Sequence, residues 1–253
     1  MATIINMPIL VFVFSVLVLW LSVQAGFFLA RKLRTIEEEE RSDLDLVVNA
    51  TLTLLALIIG FSFSMAVSRY DQRKNYEEEE ANAIGTEYVR VDLLPAADKA
   101  QIQQILRRYT GLRVLFYTER DRHQLDIINQ ETTQLQNQMW SIVARDAAAN
   151  PTPPMALVVG GMNDVLNRQG YTQAAWWNRI PVGAWSLMMS LAVCSTLLIG
   201  YVSHHRRTLL ASVLPIVLAV AFFLIADIDS PRRGVIRVLP QNLISLAQSL
   251  GNP

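Results

Sequence analysis

The chain has 253 residues, of which 52% are hydrophobic and 17% charged, against about 25% charge in a typical soluble domain. Its 22 basic and 22 acidic residues balance and interleave, so no basic face for nucleic acid stands out. A single cysteine, Cys194, excludes an intramolecular disulfide.

The missing charge is concentrated in four segments, residues 4–30, 44–67, 181–202 and 209–228. Each is long enough to cross a hydrocarbon core of about 30 Å, which takes roughly 20 helical residues. Each is apolar on all sides, and a chain this short has no soluble core to hide four such helices. The fold class read from this is an all-α polytopic membrane protein with four transmembrane helices in two hairpins. The first segment is read as a retained span rather than a signal peptide. "MATIINMPIL" has no basic residue, and the apolar run exceeds the roughly 7–15 residues of a signal core.

Hairpin 1 covers residues 1–68 and is closed by "RKLRTIEEEERSD". Its second span carries small and hydroxylic residues on one helical face: Asn49, Thr53, Gly60, Ser64 and Ser68, with Ala56 filling the gap. Gly60, Ser64 and Ser68 form a small-xxx-small series, a pattern for close helix packing. Pore lining is the competing reading, and the two merge if the packing partner is a second copy of the same helix.

A hydrophilic helical insert follows, residues 69–180, continuing directly from the second span. "SRYDQRKNYEEEEANAIGTEYVR" contains no helix breaker except Gly85. Asn75, Glu79, Asn82, Thr86 and Arg90 share one stripe, and Ala81, Ile84, Tyr88 and Val91 share another. Arg69, Arg73 and Lys74 would form an anion-attracting ring in an oligomer, and Glu77 to Glu80 would oppose them one turn on. Arg69, Arg73, Lys74, Glu80, Asn82, Thr86 and Arg90 are therefore the candidate vestibule residues. A solvated, mutually paired helix surface is the alternative.

After Pro95, which suits a helix start, Ile102, Ile105, Leu106, Tyr109, Leu112 and Phe116 mark one amphipathic helix. Leu125, Ile128, Leu135, Met139, Ile142 and Val143 mark a second, and "NPTPP" breaks it. Met155, Val158, Met162, Val165 and Leu166 mark a third. Trp176, Trp177 and Trp185 fit an interfacial aromatic belt, with core packing as the alternative. Hairpin 2, residues 181–228, repeats small residues at Ser186, Ser190 and Cys194, read as packing. The tail, residues 229–253, holds an amphipathic helix after Pro240 with Leu239, Leu243, Leu246, Ala247 and Leu250 on one side. It lies on the membrane or docks on the insert.

Charged residues are absent from mid-membrane positions, which argues against a proton-coupled pump. His123, His204 and His205 make no metal constellation. No phosphate loop or nucleophile motif occurs, so no cofactor, metal or enzymatic activity is expected.

"GFSFSMA" followed by "RYDQRKNYEEEEANAIGTEYVRVDLLP" is similar to the signature of the bestrophin-like bacterial membrane proteins. The shared features are the basic exit at Arg69 and Arg73, the run 80–86, Arg90, and the Leu-Leu-Pro at 93–95. "DIDSPRRG" resembles the family's acidic exit from the last span but has Arg232 where an aromatic residue is expected. The resemblance implies kinship with bestrophin anion channels. It implies a homo-oligomer in a lipid bilayer, here the bacterial inner membrane, with a central path for inorganic ions lined by the second helix. It also implies a cytoplasmic insert and cytoplasmic termini. No acidic stretch matches the family's calcium-binding cluster. A different class of function stays open: a non-conducting scaffold or sensor whose helical insert binds a partner.

Overall fold

A computed structural model describes residues 7–32, 38–202 and 208–251, with the side chains of 38–41 and 208–211 excepted. Arg34, Ser203, His204, His205, Arg206 and Arg207 lie outside the described residues, as does the side chain of Arg41. The described chain is all-helical: α1 (Pro8–Lys32), α2 (Glu38–Arg90), a 3-10 turn (Val91–Leu93), α3 (Ala96–Thr118), α4 (Arg122–Ala149), α5 (Pro153–Trp177), α6 (Val182–Val202), α7 (Thr208–Asp229) and α8 (Gln241–Ser249). Four helical segments are long and apolar enough to cross a membrane. With 53 residues α2 is the longest helix, about 80 Å at roughly 1.5 Å per residue. The chain divides into two compact units, residues 1–68 with 179–236 and residues 69–178 with 237–253.

In the first unit, α1 packs against α6 and α7. Lipid tails are as apolar as leucine, so this packing rests on close fit rather than on burial from water. The fit is made by two glycines. A Cβ on Gly200 would fall on the carbonyl of Val23, and one on Gly26 would fall on the backbone of Leu197 and Tyr201. Backbone approach at this crossing requires the absence of side chains at both positions. One turn away, Ser22 donates to the Val193 carbonyl at 2.8 Å, and Leu19, Val23, Met188 and Ala192 are buried around it. Pro215 lies inside α7, where its missing N–H is tolerable in a membrane helix. Of the three tryptophans read as a belt, Trp185 is buried edge-on to Phe222 at 6.4 Å.

The "DIDSPRRG" corner closes this unit. Asp227 accepts from the backbone N–H groups of Val235 and Ile236 at 2.7 and 2.8 Å. Asp229 accepts from the N–H of Ile180 at 3.2 Å, and Arg179 donates to the Asp229 carbonyl at 2.8 Å. Both carboxylates are buried and their oxygens are engaged by backbone donors. The corner thus satisfies chain ends that a turn at a membrane exit would otherwise leave unpaired.

In the second unit, the three helices expected from periodicity are present with the expected faces inward. Ile102, Leu106, Tyr109 and Phe116 of α3 are fully buried, as are Met139 and Val143 of α4 and Val158, Met162 and Val165 of α5. Each such side chain contributes about 1.5–3 kcal/mol on leaving water. Local signals set the boundaries. The Asp121 carboxylate accepts from the Gln124 N–H at 3.0 Å and caps α4. Thr152 caps α5, whose first turn holds Pro153 and Pro154. Trp176 is in this core, edge-on to Phe116 and Tyr117 at 5.0 and 5.2 Å, while Trp177 is 73% exposed. The belt reading therefore fits Trp177 and fails for Trp176 and Trp185, whose rings fill aromatic cores.

Candidate functional site

The five candidate pore-lining residues of the second span lie on the uncovered side of α2. Asn49, Thr53, Gly60, Ser64 and Ser68 are exposed, whereas Val48, Leu55, Ser62 and Ala66 on the opposite side are buried. A Cβ on Gly60 would meet nothing within 4 Å. The stripe is not purely polar, since Leu57 shares the face and is 53% exposed. Thr53 donates to the Asn49 carbonyl at 2.8 Å, which satisfies its hydroxyl within the helix. On the buried side, Ser195 of α6 donates to Thr51 at 3.2 Å. The apolar window of α2 is the least buried of the four spans, at 17%, against 33% for α1 and 50% for α7. In α6 the buried polar residues are Ser195 and Thr196, while Ser186, Ser190 and Cys194 are exposed. The expected packing face of that span is thus its open face, because the close contact is made from Gly200 instead.

The vestibule candidates separate. Lys74, Asn82 and Thr86 are exposed, and Arg69 and Arg90 are half-buried. Arg73 and Glu80 are 1% and 0% exposed. An outward-facing charge is therefore ruled out for both in this fold. The reason is the period of the helix. Arg73, Glu77, Glu80, Ile84, Glu87 and Val91 recur at four and three residues and are all buried, so charged residues occupy the heptad seam.

These charges are placed in a polar core. Arg113 of α3 donates through Nε to the Glu80 carboxylate, and Thr172 of α5 donates to the same carboxylate at 3.1 Å. The Arg113 guanidinium also lies 4.3 Å above the Phe116 ring. Burial pulls the Arg113 pKa down, but Glu80 more than offsets it and the net direction is up. Burial, reinforced by the charge of Glu80, pushes the Tyr109 and Tyr117 hydroxyls above their usual range. Glu77 accepts from the Leu243 N–H at 2.9 Å and the Asn242 amide at 2.7 Å, fastening the first turn of α8. A carboxylate there also complements the helix dipole. Burial raises its pKa, against those hydrogen bonds. With Leu243 buried and Leu246 packed on the core, the tail helix docks on the insert. Among the described residues no group of three or more His, Cys, Asp or Glu could hold a metal.

A family model described as the Bestrophin-like domain matches residues 9–243. No curated protein gives a significant match. Three mutant crystal structures of a bacterial bestrophin homolog from Klebsiella pneumoniae share the fold. The first has a TM-score of 0.66 at 13% identity, covering 96% of this chain and 97% of that one. The second has 0.64 at 14%, covering 94% and 97%. The third has 0.63 at 13%, covering 96% and 97%.

Proposed function

Since this chain belongs to the bestrophin-like family, an integral membrane protein by its four apolar spans, we propose that it is a homo-oligomeric ion channel of the bacterial inner membrane with α2 lining the axis. The observation that carries this reading is the uncovered polar face of α2, from Asn49 through Thr53, Gly60 and Ser64 to Ser68. An asparagine amide facing hydrocarbon without partners would cost several kcal/mol. A hydrated axis removes that cost, and small residues at 60, 64 and 68 let neighbouring copies of the helix approach. Beyond the span, exposed Lys74, Asn82 and Thr86 with half-buried Arg69 and Arg90 make up the mouth. Arg73 and Glu80 leave that set because both are buried, Glu80 against Arg113 and Thr172. Exposed Glu78 counters Lys74, so no ion sign is assigned.

The test is reconstitution of the monodisperse oligomer into liposomes with chloride and potassium flux assays. Flux well above protein-free liposomes is expected for at least one ion. Its absence for both, from folded oligomer across the pH and calcium conditions tried, would overturn the channel reading in favour of a scaffold.

A further inference from the structure

Glu87 stands apart from the other charged residues of the α2 seam. It is 0% exposed, and neither carboxylate oxygen has a hydrogen-bond partner among the described residues. Glu77 and Glu80 are fully engaged by donors, so the absence of donors at Glu87 is specific to it. Its carboxyl lies directly against the backbone of α5 at Gly161, where a Cβ would overlap the Glu87 Oε2. Gly161 therefore forms a notch that receives the Glu87 carboxyl together with the Arg90 guanidinium, whose Nη1 a Cβ there would meet at 2.5 Å, while neighbouring Gly160 faces open space.

An ionised carboxylate buried without donors costs several kcal/mol, and such a group takes up a proton instead. We propose that Glu87 is a protonation switch in the contact between α2 and α5. When protonated it allows the two helices to seat at the Gly161 notch. When ionised it drives α5 off α2.

The charged surroundings agree with this. Burial pushes the Glu87 carboxyl up to about 8, with Arg90 on its own helix opposing and Asp164 on α5 reinforcing the shift. Glu79 and Arg168, further along the same two helices, pair with each other at 2.6 Å. Asp92 of the 3-10 turn pairs with Lys99 at 2.9 Å. Because the folded pKa lies above the unfolded one, the stabilisation is fully present below the unfolded value of 4.5. It declines as pH rises and is lost as pH passes the folded value near 8. The switch concerns helix seating within the insert and holds whether or not the protein conducts.

The experiment is hydrogen exchange of α5 in the full-length protein between about pH 6.5 and pH 9.5, corrected for the intrinsic effect of pH. In the wild type, exchange over residues 155–170 should rise at least about tenfold and then level off above the folded value, because the opening equilibrium changes roughly tenfold per pH unit only between the unfolded and folded values. Glu87→Gln, a permanent mimic of the neutral acid, should stay protected throughout. Asp164→Asn removes a neighbouring negative charge and should shift the wild-type midpoint to lower pH. If Glu87→Gln opens like the wild type, the proposal fails. Should Glu87→Gln not fold, Asp164→Asn decides: a midpoint moved downward supports the switch, and an unmoved one overturns it.

Discussion

Arg113→Ala is expected to destabilise the protein by about 3–5 kcal/mol, the usual cost of removing one partner from a buried ion pair. Arg113 is fully buried, and its guanidinium both neutralises Glu80 and covers the Phe116 ring. Its removal leaves a carboxylate in the core with the Thr172 hydroxyl as a side-chain donor, beside a cavity the size of the lost side chain. The double variant Glu80→Leu with Arg113→Met removes both charges while keeping volume. It should recover much of the loss, since apolar replacement of a whole buried pair is often close to neutral. Thermal unfolding of the two variants and the wild type separates the outcomes. An Arg113→Ala protein as stable as the wild type, or a double variant worse than the single, would show that this pair does not hold α2, α3 and α5 together.

The second large effect concerns the membrane unit. Gly200→Val is expected to abolish monodisperse expression. Overpacking a well-packed site costs about 1–3 kcal/mol when side chains can yield. Here the obstacle is the Val23 backbone, which cannot rotate away, so the cost should exceed that range. Gly60→Ala gives the contrast. Its added methyl meets nothing within 4 Å, and alanine favours a helix by roughly 0.5–1 kcal/mol over glycine. Gel filtration of the detergent-extracted variants checks both. A Gly200→Val protein that elutes like the wild type would contradict the close α1–α6 crossing.

The helices of this fold were legible because their causes are local. Uninterrupted apolar runs specify spans, and the three-and-four spacing of Ile102 to Phe116 specifies an inward face. The residues at issue in the site were less legible because their environment is set by distant partners. Glu80 and Asn82 are two residues apart in one charged tract, yet one is buried against Arg113 and the other is exposed. A signal did exist. Arg73, Glu77, Glu80 and Glu87 are in heptad register with Ile84 and Val91, and Arg113 falls between Tyr109 and Phe116 on an apolar face. A charge in phase with a core stripe points to a buried partner. The Gly26–Gly200 contact was not legible from either helix alone, because a lone glycine in a span does not reveal which backbone approaches it.

The claim that the polar face of α2 lines an ion path is tested most directly by thiol modification in the channel assay. In a Cys194→Ser background, Ser64→Cys and Met65→Cys place one thiol each on neighbouring positions, about 100° apart around the helix. Both side chains are exposed in the single chain, so reagent access alone does not separate them. A charged, membrane-impermeant thiol reagent should change ion flux sharply in Ser64→Cys liposomes and leave Met65→Cys liposomes near their starting rate. Equal sensitivity at both positions, or sensitivity at Met65→Cys alone, would contradict an axis lined by Ser64.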